Sequence, residues 1–107
     1  MNSWEIAELR GKIAIEKVVR ILKELKKEGK IRDFGETIPF SREDKRGIDI
    51  FIFPFNKKEI RLQIKAGDHL TLEEKEKYRK GKIFLIKNVL KKTDREIKNE
   101  ILKILKS

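Results

Sequence analysis

Residues 48–55 read Ile-Asp-Ile-Phe-Ile-Phe-Pro-Phe, apolar on both alternating faces except at Asp49. A run like this is hidden only by a strand covered on both sides, so it belongs in the middle of a sheet. The next segment, Glu59 to Ala66, alternates strictly: Ile60, Leu62, Ile64 and Ala66 against Glu59, Arg61, Gln63 and Lys65. That is the period-two pattern of a strand with one buried face. Asn56, Lys57 and Lys58 supply a turn, so the two segments are predicted to form a hairpin. With a three-residue turn, Phe55 faces Glu59, Asp49 faces Lys65, and Gln63 lies opposite Phe51. A register shifted by two keeps Asp49, Gln63 and Lys65 on one face, whereas a shift of one separates them.

The remaining elements follow from periodicity and capping signals. Residues 4–28 carry Ala14, Val18, Ile21, Leu22 and Leu25 at helical spacing, with Asn2 or Ser3 to cap the start and Gly29 to stop the end. Gly11 inside this helix signals either close backbone packing or simple tolerance. Ile31 to Phe40 is an irregular strand broken by Gly35, and a polar loop, Ser41 to Gly47, leads into the central strand. Thr71 with Glu74 reads as a capping box for a short helix ending at Gly81; Lys82 to Lys87 is a strand. Thr93 with Glu96 is a second box, before a helix striped by Ile97, Ile101, Leu102, Ile104 and Leu105. Trp4 and the phenylalanines are expected in the core. The predicted fold is therefore α/β, a single domain over residues 1–107 with a mixed central sheet flanked by helices. Its order is helix, three-strand meander, helix, strand, and a C-terminal helix.

Composition narrows the function classes. There is no cysteine and one histidine, His69, which excludes a disulfide framework, a thiol nucleophile and a His-cluster metal site. The apolar runs are short and broken by charge, so neither a membrane span nor a signal peptide is expected, and a cytoplasmic setting follows as the default. The 28 basic residues outnumber 18 acidic ones, for a net charge of +10. An excess of this kind suits a polyanion such as DNA or RNA through counterion release, though an acidic protein partner would answer to it equally. Abundant Lys and Glu also mark heat-adapted surfaces, but there both signs rise together.

Asp49 carries the chemistry. A carboxylate in a central strand costs several kcal/mol unless something pairs with it. Hydrolysis of a phosphodiester requires a divalent cation, and Mg²⁺ or Mn²⁺ takes hard oxygen ligands while keeping several waters. Asp49 is the first candidate ligand, supported by the amide oxygen of Gln63 and the backbone carbonyl of Ile64. Lys65 is placed to orient the attacking water or to stabilise developing charge. The same residues also read as an ordinary cross-strand salt bridge beside a neutral amide. Glu16 continues the line Ile6, Leu9, Ile13 of the first helix, aimed at the site or paired with Lys12 or Arg20.

Gly47-Ile48-Asp49, fourteen residues ahead of Gln63-Ile64-Lys65, resembles the split motif of the PD-(D/E)XK phosphodiesterase superfamily. The Gln-x-Lys form resembles that of methylation-dependent restriction endonucleases, and Ser41 is similar in placement to a serine of archaeal Holliday-junction resolvases. Gly11 to Glu16 resembles the helical glutamate motif, and the element order matches the restriction-endonuclease-like core over about residues 4–87. The resemblance implies a metal-dependent DNA endonuclease with Asp49, Gln63, Lys65 and Glu16 at its centre. Asp49, Gln63, Glu16 and the Ile64 carbonyl would hold Mg²⁺ or Mn²⁺. A lone site cuts one strand, so cutting both calls for a homodimer. Two departures stand out: Gln63 replaces the usual acid, which weakens metal binding, and Gly47-Ile48 stands where the usual proline would be.

Around this centre, Ser41, Arg42, Lys45 and Arg46 are expected to clamp the DNA backbone or to form a solvated charged turn. Glu43 and Asp44 are lesser candidates for a further metal ligand. His69 is expected at the surface, and Lys91 and Lys92 offer a basic patch. The alternative function is a catalytically inactive nuclease fold that binds nucleic acid or a protein partner.

Overall fold

Asn2 accepts the Glu5 N–H at 2.9 Å and starts the first helix, α1, which spans Ser3–Lys27. Gly29 ends it at φ 75°, a left-handed conformation that glycine adopts without strain. The structure is a computed structural model that describes residues 2–38 and 47–107. In it α1 is followed by β1 (Asp33–Glu36), β2 (Ile50–Phe53), β3 (Ile60–Ile64), α2 (Leu72–Lys80), β4 (Ile83–Ile86), a 3₁₀ turn (Val89–Lys91) and α3 (Asp94–Lys106). The strands lie in the order β1-β2-β3-β4, the first three antiparallel and β4 parallel to β3. This is the predicted class, an α/β fold with a mixed four-stranded sheet, and the doubly apolar segment is central as its pattern requires.

The strict alternation of β3 divides the molecule. Ile60, Leu62 and Ile64 join Ile50 and Ile52 of β2 against the stripe of α1, from Ala14 to Leu25, and against Ile97 and Ile101 of α3. The opposite face holds a smaller cluster of Ile48, Tyr78 and Ile83 beneath α2, with Phe51, Leu70 and Leu85 packed against it. Among the described residues no helix is long and apolar enough to cross a membrane.

Three expectations are corrected. The hairpin register pairs Ile50 with Leu62, Phe51 with Arg61 and Ile52 with Ile60, two residues from the one a three-residue turn would give. Pro54 supplies the reason, since it has no N–H for the ladder and ends β2 early. The wider loop sends Lys57 to the end of α3, where its Nζ donates to the carbonyls of Leu105 and Ser107 at 2.7 and 2.8 Å, a cation at a helix C-terminus. Trp4 and Phe55 are not core residues but are 72% and 59% exposed. Phe51 and Phe53 stack on each other at 6.5 Å, partly buried. Finally, the capping box of α2 is only half made. Thr71 accepts the Glu74 N–H, while the Glu74 carboxylate is drawn to Lys65.

The box of α3 is complete, with Thr93 Oγ1 accepting the Glu96 N–H and Glu96 Oε1 accepting the Thr93 N–H, both at 3.2 Å. Thr93→Ala should therefore lower the unfolding free energy by about 1 kcal/mol, read from the midpoint of urea denaturation at unchanged slope.

Candidate active site

Asp49 sits where the chain enters β2, and local geometry fixes it there. Gly47, at φ 84°, makes the turn, and a Cβ on it would stand 2.9 Å from Tyr78 Cε1, so no larger residue fits. Thr37 N–H donates to the Asp49 carbonyl at 3.0 Å, and its hydroxyl donates to the Ile48 carbonyl at 2.8 Å. The Asp49 N–H reaches the carbonyl of Leu62 at 2.8 Å, although Leu62 is the register partner of Ile50. Two residues thus oppose one, the arrangement of a β-bulge, which re-aims the side chain of the extra residue. Asp49 Oδ2 accordingly accepts the Ile64 N–H at 2.8 Å. This charge-assisted bond offsets part of the cost of half-burying a carboxylate.

Asp49 opens on a cleft of about 580 Å³. Among the described residues the cleft is lined by Glu8, Gly11, Lys12, Ile15 and Glu16 of α1, by Glu36 and Thr37, and by Asp49 itself. The structure thus brings Glu16 and Asp49 to one cavity from two elements, as the sequence suggested. Arg20 does not pair with Glu16; it binds Asp94 at 3.0 Å. Gly11 would admit a Cβ with nothing within 4 Å, so its lack of a side chain widens the cleft and is not demanded by packing. Glu8 and Glu36 are the acids that sequence reasoning missed. Glu8 lies eight residues before Glu16, and so on the same side of α1. Glu36 could be found only from the β1–β2 register, which sets it opposite Ile50. The acids line the cleft without converging: among the described residues no group of three or more His, Asp or Glu is placed to hold a metal ion.

Gln63 and Lys65 are not among the lining residues. The ladder ends at the Ile50–Leu62 pair, with the Asp49 N–H also on Leu62, so Asp49 does not face Lys65; beyond Leu62 on β3 comes Gln63. Its Oε1 is buried and has no hydrogen-bond partner among the described residues, lying 3.4 Å from where a Cβ of Gly47 would be. A buried orphan acceptor of this kind is uncommon in a folded protein. The expected Asp49–Lys65 pairing gives way to a different one, because the shift by two moves Lys65 beyond Asp49 and toward α2. Lys65 Nζ lies 2.6 Å from Glu74 Oε2, both side chains less than a third exposed. Tyr78 OH donates to the same carboxylate oxygen at 3.3 Å. Ile64 meets Asp49 through its N–H, not through the carbonyl expected to serve a cation.

The electrostatics of this group follow from its contacts. Lys65, chiefly through the hydrogen bond, holds the Glu74 carboxyl below its ordinary value of 4.5. Burial first, then Glu74 and Asp49, push the Tyr78 hydroxyl up to about 12. Of the remaining candidates, His69 and Lys91 are exposed and Lys92 pairs with Glu100 at 2.8 Å. Ser41, Arg42, Glu43, Asp44, Lys45 and Arg46 lie outside the described residues.

Tyr78 is the only tyrosine, so its titration is read directly from near-ultraviolet absorbance. The phenolate should form with a midpoint of about 12 rather than 10, and Glu74→Gln should lower that midpoint. Folding raises this pKa, so its contribution to stability is present below pH 10 and is lost as pH climbs toward 12. Glu74 has the opposite sign. Its folded value is depressed, so its contribution is present above 4.5 and is lost as pH falls below it. The acid limb of a stability–pH curve should therefore be shallower in Glu74→Gln than in the wild type.

Compared with known proteins, the chain matches no family model, no curated protein and no solved structure.

Proposed function

We propose that this chain is a Mg²⁺- or Mn²⁺-dependent DNA endonuclease with a restriction-endonuclease-like core, hydrolysing phosphodiester bonds in the cytoplasm as a homodimer. The observation that carries the reading is the placement of Asp49. A bulge at the start of a central strand turns it to the Ile64 N–H and onto a cleft that Glu16 of α1 also lines. The order of elements, with a helix ahead of a three-strand meander and then a helix and a strand, agrees with that core.

The donor set suits a hard cation. Asp49 and Glu16 offer carboxylates and Gln63 an orphaned amide oxygen, and one or two carboxylates suffice for a cation that keeps most of its waters. The Ile64 carbonyl is the fourth candidate. When bound, the cation would neutralise the scissile phosphate and acidify a water. Lys65 is oriented by its ion pair with Glu74, and would deliver its charge to the phosphate by exchanging one anionic partner for another. Arg61, Lys77 and Lys80 ring a separate hollow of about 300 Å³ under α2, where a nucleic-acid backbone would meet positive charge. Ser41, Arg42, Lys45 and Arg46 are proposed to grip the strand nearer Asp49.

A second reading is an inactive nuclease fold that binds nucleic acid or a protein partner. It is favoured by Gln63 in place of an acid and by the absence, among the described residues, of three converging metal-binding side chains.

Plasmid, flap and four-way-junction DNA should be cut by the wild type in Mg²⁺ or Mn²⁺. Asp49→Ala and Lys65→Ala should each reduce the rate by about a hundredfold or more. Cleavage that survives both substitutions would remove the site from the mechanism. Nucleic-acid binding without cleavage, and without heat on titration with Mn²⁺, would establish the inactive reading instead.

A further inference from the structure

The two halves of α1 differ in how their side chains are satisfied. Beyond Ala14 the helix is embedded: Arg20 pairs with Asp94, Lys26 with Asp33, and Glu24 shares Lys98 with Glu28. Before it, Glu5, Glu8, Arg10 and Lys12 are exposed and none has an ion-pair partner among the described residues. The same half exposes Ile6, Leu9 and Ile13 by 46%, 45% and 44%. At about 100° per residue these three form one row, roughly 130° around the helix from the buried stripe. The row lies on the side of the helix away from the buried stripe, and none of its three residues belongs to a hydrophobic cluster of the described residues.

We propose that this row is the contact between two copies of the chain, with the α1 helices crossing antiparallel about Leu9. The spacing of three and then four residues is that of a short helix–helix seam. Charge selects the partner and its direction. An antiparallel crossing about Leu9 sets Ile6 against the other copy's Ile13 and brings Glu5 of each copy beside the other's Lys12. It also keeps the two Glu16 side chains apart at opposite ends of the contact. A parallel pairing would place Glu16 against Glu16 and Lys12 against Lys17, like against like. The two Arg10 side chains approach each other near the centre of the antiparallel form, its one unfavourable pair. On the helix surface Lys12 and Glu16 lie between this row and the cleft that Asp49 opens on, so the second copy would flank that cleft. The association is independent of cleavage and is measured without it.

Sedimentation equilibrium of the full chain should show a monomer–dimer equilibrium at about 0.1 mM, the range expected of a contact this small. Leu9→Lys should weaken it at least about tenfold while leaving the thermal melt of the monomer in place, because Leu9 belongs to neither hydrophobic cluster of the described residues. Leu72→Lys, at a still more exposed leucine on α2, should associate as the wild type does. Glu5→Lys should weaken association, and adding Lys12→Glu to it should restore it. A wild type that stays monomeric throughout, or a dimer that survives Leu9→Lys, overturns the proposal. Failure of the charge exchange to restore association overturns the antiparallel arrangement.

Discussion

Burial of β2 and β3 against α1 is the constraint on which everything else in the molecule rests. Ile50, Ile52 and Leu62 are wholly inaccessible, and so are Ala14, Val18, Leu22 and Leu25 opposite them. Each of these large side chains contributes roughly 1.5–3 kcal/mol on leaving water. The same packing sets the direction of every other residue on the two strands, because the side chains of a strand alternate. Once Ile60, Leu62 and Ile64 face α1, Arg61, Gln63 and Lys65 must face α2. The polar face of β3 is a consequence of the core.

A bulge is what lets Asp49 escape that rule. Regular pairing would commit its side chain to one face of the sheet. The additional hydrogen bond from its N–H to Leu62 turns the carboxylate along the sheet to the Ile64 N–H and the mouth of the cleft. Gly47 and Tyr78 make this possible from below, the glycine by its positive φ and the tyrosine by filling the space a side chain would need. Tyr78 therefore links packing to electrostatics: it belongs to the smaller core cluster and also donates to the carboxylate that holds Lys65.

The charge distribution has a similar logic. A chain with net charge +10 places four acids and one lysine around the cleft that Asp49 opens on, and basic residues around the hollow beneath α2. Carboxylates and cations are thus gathered around different hollows, which gives the surface separate regions of opposite potential. Ion pairs elsewhere, such as Arg20–Asp94 and Lys98 with Glu24 and Glu28, tie α1 to α3, whereas Glu5, Glu8, Arg10 and Lys12 in its first half have no ion-pair partner among the described residues.

Periodicity alone determined the element order, the central position of the doubly apolar strand, the buried stripe of α1 and the capping box of α3. Each of these depends on residues close in sequence or on one-dimensional patterns of apolar side chains. It also placed Asp49 and Glu16 as candidates, because an isolated charge in an apolar strand is visible without a fold. The register of the hairpin was decided by tertiary structure, since Pro54 closes the ladder early and no local signal states by how much. That shift of two took Lys65 out of register with Asp49, and Lys65 pairs instead with Glu74, a partner on another element nine residues further along the chain. Trp4 and Phe55 lie exposed for the same kind of reason. Hydrophobicity says that a side chain benefits from burial, but only the packing of distant elements decides whether any surface is left to bury it.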